Sequence, residues 1–388
     1  MSSAASVDEP VYPYTFDAEL RRKARFLSAK LFRASVVSSA FETSLLMLVT
    51  FGGPGAWLGF ALMSFPWFMR AAMFSALLVL IFYVGSMPFA YWIHSIRSRN
   101  GITTAGAGKW LADSLKVLFL SAAVAAGASV LLFALMMLSG FWWLLAATAY
   151  VLFVITYSRF IPLLALRFFR KLSLLEGSET HHEITSLLRS LSLEELDIYV
   201  MNESSRSRIA NAFVAGIGKN KKIVLFDNLI RLFTPREARC IAAHELGHYL
   251  AGDSFRSMLS QILISYASAY LLYIVYGMAL RFHSIYSPED PYILLLFSAT
   301  LTITGAALAP LRNYLSRRRE RRADMFSLES CKDPVAFISG EKRLCDINLM
   351  DDNPPLLRRI LFATHPSTAE RVLMGEQWHR SVETVKES

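Results

Sequence analysis

Six apolar runs, near 34–51, 70–94, 111–138, 141–166, 256–280 and 291–311, alternate with polar stretches along the chain. A helix that crosses a bilayer needs about twenty apolar residues, so runs of this length predict six transmembrane helices. The segment FGGPGAWLGF separates the first run from the second and reads as a loop. Two regions, 167–255 and 312–388, are too interrupted by polar residues to span a membrane. Each is short for an independent domain, so the expectation is one water-exposed α+β domain assembled from both. The predicted order is a basic flanking segment (1–33), a four-helix membrane region (34–166), the first part of the polar domain (167–255), two further spans (256–311) and its second part (312–388). The fold class is therefore mainly α and integral to a membrane.

Composition agrees. The 388 residues are 54% hydrophobic, above the 45–50% or so of soluble domains. The net charge of +9 does not point to nucleic acid, because no basic stripe interleaved with aromatic residues occurs outside the span flanks. Those flanks do carry the charge. Arg21, Arg22, Lys23, Arg25, Lys30 and Arg33 precede the first run; Arg97, Arg99 and Lys109 follow the second; Arg167, Arg170 and Lys171 follow the fourth; Arg317 to Arg322 follow the sixth. The opposite loops hold only Arg70 and Arg281. Basic residues collect on the cytoplasmic side, which predicts a multi-pass protein with both termini and the polar domain in the cytosol. A bacterial inner membrane and an endoplasmic-reticulum membrane fit equally. Three cysteines, Cys240, Cys331 and Cys345, show no metal-ligand spacing and do not form a disulfide framework. The N-terminus lacks the basic-then-apolar layout of a cleaved signal peptide.

LRRKARFLSAKLF has two readings, an amphipathic helix on lipid headgroups or a basic flank that only sets orientation. Charges within or beside the spans are Glu42, Asp113, Lys116 and Arg159. Snorkelling to the interface accounts for most of them; Glu42 has no evident partner.

The densest chemistry lies in CIAAHELGHYLAGDS, Cys240 to Ser254. Thr234-Pro235-Arg236-Glu237 just before it combines an N-cap, a proline suited to the first turn and a capping-box glutamate. On the helix begun there, His244 and His248 stand one turn apart on one face, as two imidazoles sharing a metal ion require. Glu245 beside them has the placement of a general base acting on water. The bland alternative is a pair of surface histidines. A catalytic zinc site needs three protein ligands and an open position. Of the remaining groups, His94, His181, His182 and His283 are set aside by topology or surface placement, and Glu320 in NYLSRRRERRADMF is the acidic candidate. Glu320 and Asp324 share a helix face, which suits a ligand and a carboxylate that orients an imidazole. An ordinary ion pair between Glu320 and the arginines around it is the other reading.

Four stretches then resemble the integral-membrane zinc metallopeptidases that include the type I CAAX prenyl proteases and the HtpX-type proteases. They are HELGH at 244–248; Asn313 to Asp324, similar to N-x-x-S-R-x-x-E-x-x-A-D; Asn211-Ala212-Phe213-Val214-Ala215-Gly216 followed by KKIVLFDNLI; and His365-Pro366-Ser367 with Arg371. The resemblance implies a zincin-like catalytic domain with a small sheet, one Zn2+ per chain held by His244, His248 and Glu320, Glu245 as general base, and Asp324 behind the ligands. It also implies that Asn211, Ala212 and Phe213 lie on an edge strand that receives substrate, that His365 faces the developing oxyanion, and that Arg371 belongs with the substrate-binding residues. Ala210 and Phe213 depart from the prenyl-protease pattern, as do six spans in place of seven. The expected function is a membrane-embedded zinc endopeptidase acting on peptide or protein substrates, membrane-anchored or lipidated ones among them, in quality control or processing. CAAX-type C-terminal processing is the alternative, and a non-catalytic metal-binding scaffold the second.

Overall fold

The structure is a computed structural model and describes residues 14–169, 172–204, 207–215, 221–282, 285, 287 and 289–387. Five helices come first: α1 (Ala18–Phe51), α2 (Pro54–Ala61), α3 (Trp67–Arg99), α4 (Ala107–Leu138) and α5 (Trp142–Phe169). A mixed segment comes next, with β1 (Leu172–Leu174), α6 (Glu179–Ser190), β2 (Asp197–Met201), β3 (Ala212–Ala215), β4 (Lys222–Phe226) and α7 (Asp227–Leu232). The rest is helical: α8 (Pro235–Leu250), α9 (Asp253–Arg281), α10 (Ile293–Cys331), α11 (Pro334–Ile347), α12 (Leu356–Phe362) and α13 (Thr368–Glu387). The chain forms two compact units. One comprises residues 30–161 and 255–309, the other residues 1–29, 162–254 and 310–388.

In the first unit every expected apolar run lies on a helix. Among the described residues α1, α3, α4, α9 and α10 are long and apolar enough to cross a membrane. The run expected at 141–166 falls on α5, whose described apolar part, Trp142–Tyr157, is shorter. The side chains of residues 158–171, Arg159 and Arg167 included, lie outside the described ones, as do His283 and the Gly216–Asn220 link between β3 and β4. The expected loop FGGPGAWLGF needs correcting: Gly53 takes a φ of 100° and Pro54 sits at the first turn, so the segment starts α2. Small hydroxyls join α3 to α4, with Ser75 and Ser129 3.0 Å apart and Ser129 donating to the Ala71 carbonyl at 3.1 Å. Such bonds are a usual cross-helix link where lipid removes the hydrophobic drive. Glu42 accepts from Ser38 at 3.0 Å and lines a cavity of about 890 Å³ with Ser39, Thr43, Ser75, Ser129 and Ser298 among its walls. Asp113 and Lys116 pair with each other at 3.1 Å in the open.

The second unit holds the four-stranded sheet, in the order β1-β2-β4-β3. β4 pairs parallel to β2 and antiparallel to β3, with Phe213 opposite Val224. β3 is therefore an edge, with one side's backbone groups unpaired within the sheet. Alternation puts Ile198, Ala212, Ile223 and Leu225 into a core shared with Ile184 and Leu187 of α6 and Ala242, Ala243 and Leu246 of α8. α1 begins at Ala18, well before the apolar run, so LRRKARFLSAKLF is helical throughout. Arg21 and Tyr14 both donate to Asp346, Arg21 also to the Met350 carbonyl at 2.8 Å, and Arg25 forks onto Asp352 through two 2.8 Å bonds. These arginines face carboxylates of the same unit.

The two bonds from Arg25 hold the Asp352 carboxyl below its usual range, against burial, which raises it. A carboxyl depressed in the folded state stabilises the fold above its ordinary pKa of about 4 and loses that contribution as pH falls through the lower folded value. Thermal unfolding in detergent, measured from neutral pH downward, should show the wild type losing stability below about pH 4, with part of that slope missing in Asp352→Asn.

Candidate metal centre

α8 starts where its capping residues require. The Thr234 hydroxyl accepts from the Glu237 amide at 3.3 Å, and the Glu237 carboxylate accepts from the Thr234 amide at 2.9 Å. Glu237 is fully buried, receives the Ser339 hydroxyl and pairs with Arg343 at 3.0 Å, which fixes the helix start to α11. Three turns on, α8 crosses α10 at Gly247. A Cβ there would stand 3.2 Å from the Ala323 Cα and 3.1–3.2 Å from Phe326 side-chain atoms. That close approach brings Glu320, one turn before Ala323 on α10, over the two histidines.

The three donor atoms converge. His244 Nε2 and His248 Nε2 are 3.2 Å apart, and Glu320 places Oε2 3.4 Å from the first and Oε1 3.5 Å from the second. A tetrahedral ion with N and O bonds of about 2.0–2.1 Å sets its ligand atoms about 3.3–3.4 Å apart, so the trio fits such an ion. Glu320 makes none of the ion pairs that the arginines around it offered. Arg317 donates to main-chain carbonyls of residues 359–363, Arg321 pairs with Glu370, and Arg322 pairs with Asp253.

Behind each imidazole stands a carboxylate, and behind each carboxylate an arginine. His244 Nδ1 meets Asp324 at 2.8 Å, and Asp324 is gripped by Arg371. His248 Nδ1 meets Asp253 at 2.8 Å, and Asp253 is paired with Arg322. With Nδ1 donating its proton to a carboxylate, each Nε2 presents a lone pair to the shared point. Burial raises the Glu320 carboxyl, but hydrogen bonds from both histidines and the nearby His365 hold it well below the usual carboxylate range. Burial lowers His244, yet its bonds to Asp324 and Glu320 push it up to about 10 in the metal-free protein. Burial raises Glu245, opposed by the charges of His244 and His248, and its net shift is upward. His365 reaches the same point from the turn before α13, with Nε2 3.5 Å from Glu320, its other nitrogen on Thr364 and its ring 62% exposed.

Comparison with known proteins agrees with this geometry. A family model described as Peptidase family M48 matches residues 175–378, over half of the chain. The chain belongs to peptidase family M48. A second model, for the CAAX prenyl protease N-terminal region of five membrane helices, matches residues 10–171; over that range this M48 chain forms four long helices and the short α2. Among curated relatives, the uncharacterized metalloprotease YhfN of Bacillus subtilis is 28% identical over 61% of this chain and 56% of its own. The probable CAAX prenyl protease 1 of Schizosaccharomyces pombe is 31% identical over 58% of this chain and 48% of its own. The chain thus spans about half the length of these relatives. The crystal structure of S. mikatae Ste24p shares the fold, with a TM-score of 0.76 at 22% identity, covering 92% of this chain and 88% of that one. Family membership implies a metal cofactor, and the trio is the group among the described residues able to hold one.

The structure brings His244, Glu245, His248, Glu320, Asp324 and His365 into one place. Asn211, Ala212 and Phe213 stand at and on the free edge β3, with the Asn211 carbonyl accepting from Phe226 at 2.9 Å. Arg371, which the resemblance grouped with the substrate-binding residues, stands behind Asp324. Its guanidinium is inside, between Asp324 and Glu341, which it meets at 2.5 Å. Burial pushes Glu341 up to about 7 despite that arginine. Sequence reasoning missed Asp253, Arg322 and Glu341. Only Asp253 carried a signal. Gly252, at a φ of 66°, ends α8 in the left-handed region and turns the chain back, which returns Asp253 to His248.

The crossing and the paired carboxylates can each be tested. Gly247→Ala should destabilise the protein by about 1–3 kcal/mol, since its methyl has no room at the crossing, read as a lower unfolding temperature. Asp253→Ala should weaken metal retention about 10–100-fold, measured by chelator competition, with little change in helicity.

Proposed function

We propose that this protein is a membrane-embedded zinc-dependent endopeptidase, and that His244, His248 and Glu320 hold the ion. One observation carries this: two imidazole nitrogens 3.2 Å apart, each 3.4–3.5 Å from one of the two carboxylate oxygens of Glu320, on helices that cross at Gly247. Two imidazoles and a carboxylate suit zinc. A zinc ion in this position lowers the pKa of water towards neutrality and polarises a carbonyl. Glu245 takes the proton from the attacking water; the water oxygen joins the scissile carbon, the C–N bond breaks, and Glu245 returns the proton to the leaving nitrogen. Its upward shift favours that exchange near neutral pH. The exposed ring of His365 donates a hydrogen bond to the oxyanion. Asp324 with Arg371, and Asp253 with Arg322, hold the imidazoles in the tautomer this needs.

The free edge of β3 supports an extended peptide as substrate, taken up by strand addition beside Asn211, Ala212 and Phe213. Backbone pairing of that kind leaves side-chain choice loose, which fits quality control or general processing. The names of several relatives favour a second reading, C-terminal processing of CAAX-type prenylated proteins. The basic span flanks support an active site on the cytosolic side.

Purified protein should contain stoichiometric zinc and hydrolyse casein. Glu320→Ala should lose the metal, whereas Glu245→Gln should keep it and lose at least about a hundredfold in rate. Zinc retained by Glu320→Ala, or cleavage surviving Glu245→Gln, would overturn the assignment. A lipidated peptide assayed beside its unlipidated twin separates the two substrate readings; equal cleavage removes the prenyl-specific one.

A further inference from the structure

α12 is amphipathic the wrong way round for a surface helix in water. In LLRRILF the apolar positions Leu356, Leu357, Ile360 and Leu361 form one outward face, 60%, 73%, 40% and 39% exposed, and Phe362 at the helix end is 57% exposed. Its two arginines turn inward: Arg358 donates to Ser28 at 2.7 Å and pairs with Asp351, and Arg359 pairs with Glu370 at 3.1 Å. Isolated exposed leucines are ordinary, but a helix with its apolar face outward and its cations inward marks a contact surface.

The helix is tied to the feet of two membrane spans. Ser28, which receives Arg358, lies on α1 six residues before Ala34, where the first apolar run starts. At the other end, Asn313 donates to the Leu361 carbonyl and Arg317 to the Ala363 carbonyl, both at 2.6 Å, and Asn313 lies two residues past Leu311, the last of the sixth run. At about 1.5 Å per helical residue, those anchors stand within about 10 Å of where each apolar run begins or ends. Leu311 and Tyr314 of α10 are exposed beside them, as are Arg312 and Arg318. Outward leucines, flanking cations and a level fixed at the ends of two spans together describe a segment lying in a headgroup layer.

We infer that α12 is an interfacial helix whose outward face, centred on Leu356 and Leu357, dips into the lipid headgroup–acyl boundary beside the foot of α10. Its carbonyl end is held there by Asn313 and Arg317, side chains of the same helix that carries Glu320. The inference stands on placement and exposure and is independent of the metal and of catalysis.

The test uses the full-length protein with Leu357→Cys carrying a bimane fluorophore, the three native cysteines being buried. It is reconstituted in vesicles of phosphatidylcholine and phosphatidylglycerol containing a lipid with a nitroxide near its headgroup. Ser190→Cys, exposed at the end of α6, is the reference. Lipid quenching at position 357 should exceed that at position 190 by at least about threefold, with position 357 shielded from aqueous iodide. Quenching as weak as at the reference, with iodide access, would overturn the inference. So would shielding from iodide without lipid quenching, which would put a protein surface on this face. An unchanged unfolding temperature of Leu357→Cys verifies that the label reports the native fold.

Discussion

The site depends on how closely two helices can cross. With a side chain at Gly247, a Cβ 3.1–3.2 Å from Ala323 and Phe326 would press on α10 by a few tenths of an ångström, and Glu320 with it. A ligand set tolerates errors of only a few tenths of an ångström in its bonds, so a displacement of that size matters here. Everything that fixes α8 from outside serves the same crossing: the capping box at Thr234, the buried Glu237 with Ser339 and Arg343, and the Ser327 hydroxyl on the Cys240 carbonyl at 2.7 Å.

Around that crossing the protein concentrates negative charge. Glu245, Glu320, Asp324, Asp253 and Glu341 are opposed by two guanidiniums, those of Arg371 and Arg322. Buried carboxylates cost several kcal/mol each unless neutralised, and a divalent cation supplies the missing charge. In the metal-free protein the bonds to Asp324 and Glu320 push the His244 imidazole up to about 10 against burial, and burial pushes Glu341 up to about 7. In the paired His–Asp–Arg chains each Nδ1 faces its carboxylate, which orients both rings with Nε2 towards Glu320.

The ligands come from segments flanking two membrane spans, and the helices that carry them are uninterrupted. α10 runs from its apolar run into the arginine-rich stretch with Glu320 and Asp324 without a break, and Pro310 is accommodated within it. The edge strand β3 packs through Ala212 into the core that also holds Ala242, Ala243 and Leu246 of α8. The edge strand and the helix that carries His244 and His248 are thereby parts of one packed body.

Much of this was legible in the sequence. Apolar run length located the membrane helices, since bilayer thickness imposes one length on all of them. Capping chemistry placed the start of α8 to the residue, and helical periodicity put His244 and His248 on one face. These are local rules, and a local rule can be read from neighbours in the chain. The rest needed the third dimension. Spacing alone left Glu320 between ligand and ion pair, because only packing shows that the surrounding arginines are occupied elsewhere. Arg371 braces Asp324 and Glu341 from inside, a contact that its place in the chain does not announce. Glu341 and Arg322 had no signal at all, and nothing along the chain pairs Arg21 with Asp346 or Arg25 with Asp352, more than three hundred residues away. A sequence names the charges a protein must neutralise; which partner neutralises each is decided by which helices come to lie side by side.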